Sequence, residues 1–160
     1  MDARLSANDD DRAAHEAGES HARPFRPARI LCATDFSAGG ERAVESAARL
    51  AELYDASLDL LHVWSSPMSG SGHAAIGLHS DALHAALAAA LAGIGRPRSY
   101  LRTHLVNGEA WKEITEIARQ ASADLIVLGT TGASGAASAQ GLGTVAQRVL
   151  ERASVPVLLV

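Results

Sequence analysis

Residues 123–160, ADLIVLGTTGASGAASAQGLGTVAQRVLERASVPVLLV, decide the fold because they form one strand–loop–helix–strand unit. The apolar run 123–129 predicts a buried strand, residues 143–152 predict a helix, and residues 155–160 predict a final strand. A helix between two strands allows the strands to run parallel in one sheet. The end of the chain therefore indicates an α/β protein.

The rest of the chain repeats this alternation. The apolar runs at 29–34, 57–63 and 99–106 predict three more strands, and the periodic segments at 39–54, 79–93 and 108–121 predict three more helices. Residues 64–77 are expected to form a loop, and Ser37 is a predicted helix N-cap. The order βαβαβαβαβ predicts a parallel sheet with helices on both faces. Ligands of such sheets bind beyond the carboxyl ends of the strands, here near 33–35 and 128–129.

Composition narrows the class of protein. The chain has 160 residues and a formal net charge of −4, which argues against nucleic acid as the main partner. It has no apolar run long enough for a membrane span, and Cys32, the only cysteine, lies in an apolar strand. We expect a cytoplasmic protein with a buried thiol. Residues 1–27 are polar and aperiodic, so they predict a disordered tail before a single domain at 28–160.

Histidines and tryptophans outside the tail have mostly structural interpretations. His62 lies on a buried strand and predicts a hydrogen-bonded core histidine, whereas His79 and His84 are expected at the surface. His104 is expected to face solvent, and Trp111 to pack in the core. We expect no catalytic triad and no resident metal site.

The glycine-rich loop between residues 129 and 144 carries the main functional signal. Glycines before a helix allow backbone amides to approach a phosphate, and the helix N-terminus favours an anion. The loop contains no lysine or arginine, and it matches neither the P-loop nor the G-x-G-x-x-G pattern. Composition alone leaves a nucleotide-binding loop and a flexible turn equally open.

Five segments in order resemble the universal stress protein family: ATDFS after the first strand, LLHV at the second, ADLIVLGTTG at the fourth, Gly143-Thr144-Val145, and SVPVLLV at the end. The resemblance covers residues 29–160. It implies a Rossmann-like five-stranded parallel sheet with strand order 3-2-1-4-5. ATP-binding members carry G-x2-G-x9-G-(S/T), and this chain has ten residues between Gly132 and Gly143 instead of nine.

The resemblance implies binding of ATP with Mg²⁺, and the lack of a cation in the loop predicts that this binding is weak. Asp35 would take the ribose or a metal-linked water, and Gly132 and the α-helix start at Gly143 would take phosphates. The implied binding residues are Ala33, Thr34, Asp35, Val63, Leu128, Gly129, Gly132, Gly143, Thr144 and Val145. Three of these residues have alternative, purely structural roles. Asp35 could cap its own turn, Val63 could belong only to the core, and Thr144 could be only a helix cap.

The family resemblance also bears on assembly and activity. It implies a homodimer that pairs the final strand, residues 155–160, across a twofold axis, which would cover an apolar sheet edge. It implies a stress-response sensor with an unknown protein partner rather than an enzyme, with at most slow ATP hydrolysis. The alternative is a universal stress protein that binds no nucleotide and acts as a protein–protein interaction module.

Overall fold

The computed structural model describes residues 24–64, 72–91, 100–132 and 141–160. Its strands and helices follow the predicted order. They are β1 (Arg29–Ala33), α1 (Ala38–Tyr54), β2 (Ser57–Trp64), α2 (Gly72–Leu91), β3 (Leu101–Asn107), α3 (Ala110–Gln120), β4 (Leu125–Leu128), α4 (Thr144–Arg152) and β5 (Val157–Leu159).

The five strands form one parallel sheet in the order β3-β2-β1-β4-β5. The predicted fold class and strand order are therefore confirmed. From β1 the chain winds outward to β3 and then returns to β4 on the other side. The switch point lies between β1 and β4, so this architecture places a crevice beyond their carboxyl ends.

Alternate residues of the central strands enter two separate cores, because successive side chains point to opposite faces of a sheet. Ile30 and Cys32 of β1 pack with α1 and α2, whereas Leu31 packs with α3 and α4. All three side chains are fully buried. Burial raises the pKa of the Cys32 thiol, so the expectation of an inert core cysteine agrees with the structure.

Helix α1 packs through small residues at the predicted spacing. Ala43, Ala47 and Ala51 are buried on the sheet, and Leu50 packs against the same core. Ser37 caps the helix by accepting a hydrogen bond from the Gly40 amide at 3.2 Å, as predicted.

Two predicted boundaries differ from the structure. Helix α2 begins at Gly72, within the segment expected to be a loop, because its first two turns lack the polar periodicity that marks a surface helix. Pro27, assigned to the tail, is fully buried. Residues 1–23 of the predicted tail, and residues 65–71 of the predicted loop, lie outside the described residues.

A polar cluster on the α3 side of the sheet corrects the prediction for His104. Its side chain is 29% exposed and its Nε2 lies 3.1 Å from Oδ1 of Asp59, which is 1% exposed. Arg29 Nε lies 3.9 Å from the other oxygen of the same carboxylate. His104 therefore turns toward a buried acid on the neighbouring strand, because burying a charge without a partner is costly.

Candidate functional site

A cleft of about 150 Å³ opens where β1 and β4 end. The structure brings all ten sequence-predicted residues to its wall. The lining residues are Ala33, Thr34, Asp35, Gly40, Val63, Ala110, Ile114, Leu128, Gly129, Thr130, Thr131, Gly132, Gly143, Thr144, Val145 and Ala146. The cleft therefore lies at the switch point of the sheet.

One side of the cleft is the turn from β1 to α1. The Asp35 carboxylate accepts hydrogen bonds from the Ser37 amide at 3.1 Å and the Ser37 hydroxyl at 2.6 Å. The Thr34 hydroxyl accepts one from the Phe36 amide, and Phe36 has φ 61°, in the left-handed region. The predicted capping role of Asp35 is thus present, while its side chain stays exposed at the cleft. A bulky residue at positive φ is a costly arrangement that often occurs at functional sites.

Two glycines leave room for that carboxylate. A Cβ on Gly40 would lie 2.9 Å from Asp35 Oδ1, and a Cβ on Gly132 would lie 2.8 Å from Asp35 Oδ2. Both distances are below 3.0 Å, so a side chain at either position would displace the carboxylate. The Asp35 carboxylate is therefore positioned between α1 and the loop after β4.

The opposite side is the N-terminus of α4. Gly143 is the N-cap in extended conformation, and its amide donates to the Thr130 carbonyl at 2.8 Å. This corrects the alternative in which Thr144 caps the helix. Gly143 has no side chain to cap the helix, and the amides of Thr144, Val145 and Ala146 have no carbonyl acceptor within the helix. These donors make the α4 end suited to an anion.

The remaining wall is apolar. Ala33, Val63 and Leu128 were expected there, while Ala110 and Ile114 of α3 were not. Helix α3 follows β3, and the helix that follows a parallel strand begins at the strand's carboxyl end. That topological rule is the signal that could have assigned the start of α3 to the cleft. Val63 lines the cleft and also packs against the core beneath it.

His62 supports the floor of the cleft from the other face of the sheet. Its Nδ1 donates to the Thr34 carbonyl at 2.8 Å, and its Nε2 lies 2.9 Å from His79 Nδ1. Burial lowers the pKa of His62, partly opposed by the bond to Thr34. The prediction of a hydrogen-bonded core histidine is confirmed. The surface position expected for His79 is wrong, because its half-buried ring stacks on His62 and makes a tilted contact with Trp64.

The basic residue nearest in sequence to the glycine loop is already paired. Arg148 Nη1 lies 2.8 Å from Glu109 Oε1, and Lys112 lies 2.8 Å from the second oxygen of that carboxylate. Hydrogen bonds from Lys112 and Trp111 hold the pKa of Glu109 below its ordinary value. Trp111 is half-buried beneath the guanidinium of Arg148 at 5.8 Å. Trp111 was expected to pack in the core, and it packs at the edge of the core on the α3 and α4 side.

The fold and the cleft together define a doubly wound α/β domain with a cleft at its switch point. The sequence model of the universal stress protein family matches residues 27–160. The chain belongs to the universal stress protein family. Such proteins are generally not enzymes, and the expectation of a non-enzyme agrees with this.

Individual relatives show the same likeness. Universal stress protein MJ0531 of Methanocaldococcus jannaschii is 45% identical over 60 residues, which are 38% of this chain and 35% of that protein. The match therefore spans about a third of that relative's length.

Two solved structures share the fold. A universal stress protein in complex with cAMP aligns with a TM-score of 0.63 and 24% identity, over 85% of this chain and 98% of that chain. One from Archaeoglobus fulgidus in complex with dAMP aligns with a TM-score of 0.61 and 22% identity, over 84% and 98%. At these identities the likeness establishes the fold.

No helix in the described part of the chain has the length and hydropathy to cross a membrane. Among the same residues, no three His, Cys, Asp or Glu side chains form a group that could hold a metal ion.

Proposed function

We propose that the cleft binds an adenine nucleotide, ATP with Mg²⁺, and that the protein acts as a nucleotide-responsive stress sensor in the cytoplasm. The observation that carries the proposal is the composition of one cleft. Its apolar wall suits a base, and its other end holds free helix amides that suit phosphates.

The base would occupy the part between Ala33, Val63 and Leu128, with the Thr34 backbone at its edge. Apolar side chains with a few fixed polar groups are the usual lining of a small-molecule site. The ribose would lie toward Gly129 and Asp35. The phosphates would extend along the rim toward the start of α4.

The phosphates would meet Gly132 and the amides that begin α4, with the Thr144 hydroxyl as a further donor. A helix N-terminus contributes only about 0.3–1 kcal/mol at an exposed site. Among the lining residues of the described chain the one charged side chain is Asp35, which repels phosphate. Mg²⁺ brought by ATP would be held on its other side by the Asp35 carboxylate, an oxygen ligand of the kind it prefers.

The family supports an adenine nucleotide as the ligand class. The solved universal stress proteins described above hold cAMP and dAMP, which share an adenine and a phosphate. The chain also keeps the glycines at both ends of the loop, Gly132 and Gly143. The loop has one residue more than the family motif, and we expect the small side chains of residues 133–139 to accommodate it. These residues lie outside the described part of the chain.

Replacing Gly143 by valine is expected to weaken ATP binding at least tenfold. A Cβ at this position lies 3.4 Å from three atoms: the Gly132 amide nitrogen, the Thr130 carbonyl oxygen and Thr131 Cα. An alanine methyl fits at that distance, but the two γ-methyls of valine must push the loop away from α4. Isothermal titration with ATP and Mg²⁺ measures the effect.

Gly143→Ala is the matched control and should bind within about threefold of the unchanged protein. Both variants should keep a cooperative thermal transition. Wild-type affinity in Gly143→Val would place the ligand elsewhere. A folded unchanged protein that binds no adenine nucleotide would contradict the proposal and favour the second candidate function, a nucleotide-free interaction module. The specific observation behind that candidate is that the described residues lining the cleft include no basic side chain.

The dimer is proposed to form through β5, the edge strand after β4. The backbone groups of Pro156 and Val160 form hydrogen bonds with β4. Because successive residues of a strand alternate, the backbone N–H and C=O groups of Val157 and Leu159 point away from β4. Leu158 is 37% exposed, which adds an apolar contact. Light scattering should give the mass of two chains; the mass of one chain at micromolar concentration would contradict the dimer.

A further inference from the structure

Helix α1 reaches the phosphate end of the cleft with its first two turns. Gly39 and Gly40 pack against the end of β4, and Gly40 lines the cleft. The position that a Cβ on Gly39 would occupy lies 2.7 Å from the Thr131 carbonyl oxygen. Thr131 also lines the cleft and precedes Gly132. The start of α1 therefore borders the part of the loop proposed to take phosphates.

Arg42 projects toward this border. Its Nη2 lies 3.9 Å from that same Cβ position on Gly39, so its guanidinium and the Thr131 carbonyl lie within 4 Å of one point. Side chains on a helix tilt toward its N-terminus, which carries the Arg42 side chain back toward Gly39. Arg42 thus brings a positive charge to the glycine loop from outside the loop.

The Arg42 guanidinium is also available. Within the described part of the chain no hydrogen bond or ion pair engages it, and the residue is exposed. Arg148 differs, since Glu109 and the Trp111 ring already hold it. The whole segment 129–147 contains no lysine or arginine. An unpaired guanidinium is well suited to phosphate oxygens because it presents several N–H donors in one plane.

We propose that Arg42 is the phosphate-binding cation of the cleft, and that it makes the site prefer phosphorylated adenosine over adenosine itself. This inference rests on the proposed nucleotide function. Arg42 would offset the repulsion between Asp35 and the phosphates, while Arg148 stays with Glu109. The contact is at the surface, where an ion pair contributes up to about 1 kcal/mol, so the effect is about threefold to fivefold in affinity.

The test compares MgATP and adenosine by isothermal titration on the full chain. Arg42→Gln should bind MgATP about threefold to fivefold more weakly and adenosine equally well, and Arg42→Lys should recover part of the loss. Arg49→Gln, which removes an exposed cation farther along α1, is the matched control and should change neither affinity. Arg148→Gln should also leave both unchanged.

Three results would overturn the inference. Equal MgATP affinity in Arg42→Gln and the unchanged protein would show that Arg42 does not contact phosphate. Parallel losses of MgATP and adenosine would assign Arg42 a structural role. Loss in Arg148→Gln alone would assign the phosphate contact to α4. In each case binding by the unchanged protein leaves the proposed function standing, whereas absence of binding by the unchanged protein rejects both.

Discussion

Replacing Gly129 by alanine is expected to lower the free energy of unfolding by about 1–3 kcal/mol, the usual cost of overpacking a tight contact. A Cβ on Gly129 would lie 2.8 Å from the Gly39 carbonyl carbon and 3.2 Å from the Gly40 nitrogen. These are backbone atoms of α1, so they cannot rotate away as a flexible side chain could. The helix would have to move from the end of β4. Chemical denaturation with an unchanged m-value measures the loss.

Gly143→Ala serves as the control for Gly129→Ala. The nearest described atoms lie 3.4 Å from its methyl group, an ordinary contact distance, so its cost should stay below about 1 kcal/mol. The two substitutions make the same chemical change on opposite sides of the cleft. Equal stabilities of the two variants would contradict the close contact between α1 and β4.

Deleting residues 155–160 is expected to abolish cooperative folding. The Val160 amide donates to the Leu128 carbonyl at 2.9 Å, and the Val160 carbonyl accepts from the Thr130 amide at 2.9 Å. Val155, Val157 and Leu159 pack against the core on the α3 and α4 side. Complete burial of such a side chain contributes about 1.5–3 kcal/mol, and these three are partly buried. Losing all three together with the backbone hydrogen bonds of β5 removes a large share of the stability of a domain, which is about 5–15 kcal/mol.

Thermal unfolding followed by circular dichroism tests the deletion. Leu158→Ser is the control, because the Leu158 side chain is exposed and its loss should preserve a cooperative transition. A truncated protein with the melting temperature of the full chain would contradict the role assigned to β5. The same chain end borders the cleft through Thr130, so the deletion should also remove nucleotide binding.

The sequence predicts the fold well here because its signals are local and repeated. Ile30, Leu31 and Cys32 are consecutive apolar residues, as expected for a strand buried on both faces. Ser37 is predictable as an N-cap because serine directly before a helical pattern is a local signal. The start of α2 was predicted as loop because the glycines at 72 and 77 lower helix propensity and the first two turns carry no polar face.

Part of the lining of the cleft could also be predicted from the sequence. The place of Asp35 follows from the topology of the sheet, and the place of Gly132 follows from the resemblance to the family's glycine motif. The contributions of Ala110 and Ile114 depend on how α3 packs, and the sequence shows only that they lie on a helix. The pairing of His104 with Asp59 joins residues 45 positions apart on neighbouring strands, so it requires the register of β2 and β3.

The most direct test of the central claim is nuclear magnetic resonance of the ¹⁵N-labelled full chain, titrated with ATP in the presence of Mg²⁺. The amide signals of Gly132, Thr144 and Val145 should shift most, with smaller changes at Thr34 and little change at Thr103 on the distant edge strand. Unchanged spectra at millimolar ATP, or shifts concentrated away from the cleft, would contradict adenine-nucleotide binding at the switch point of the sheet.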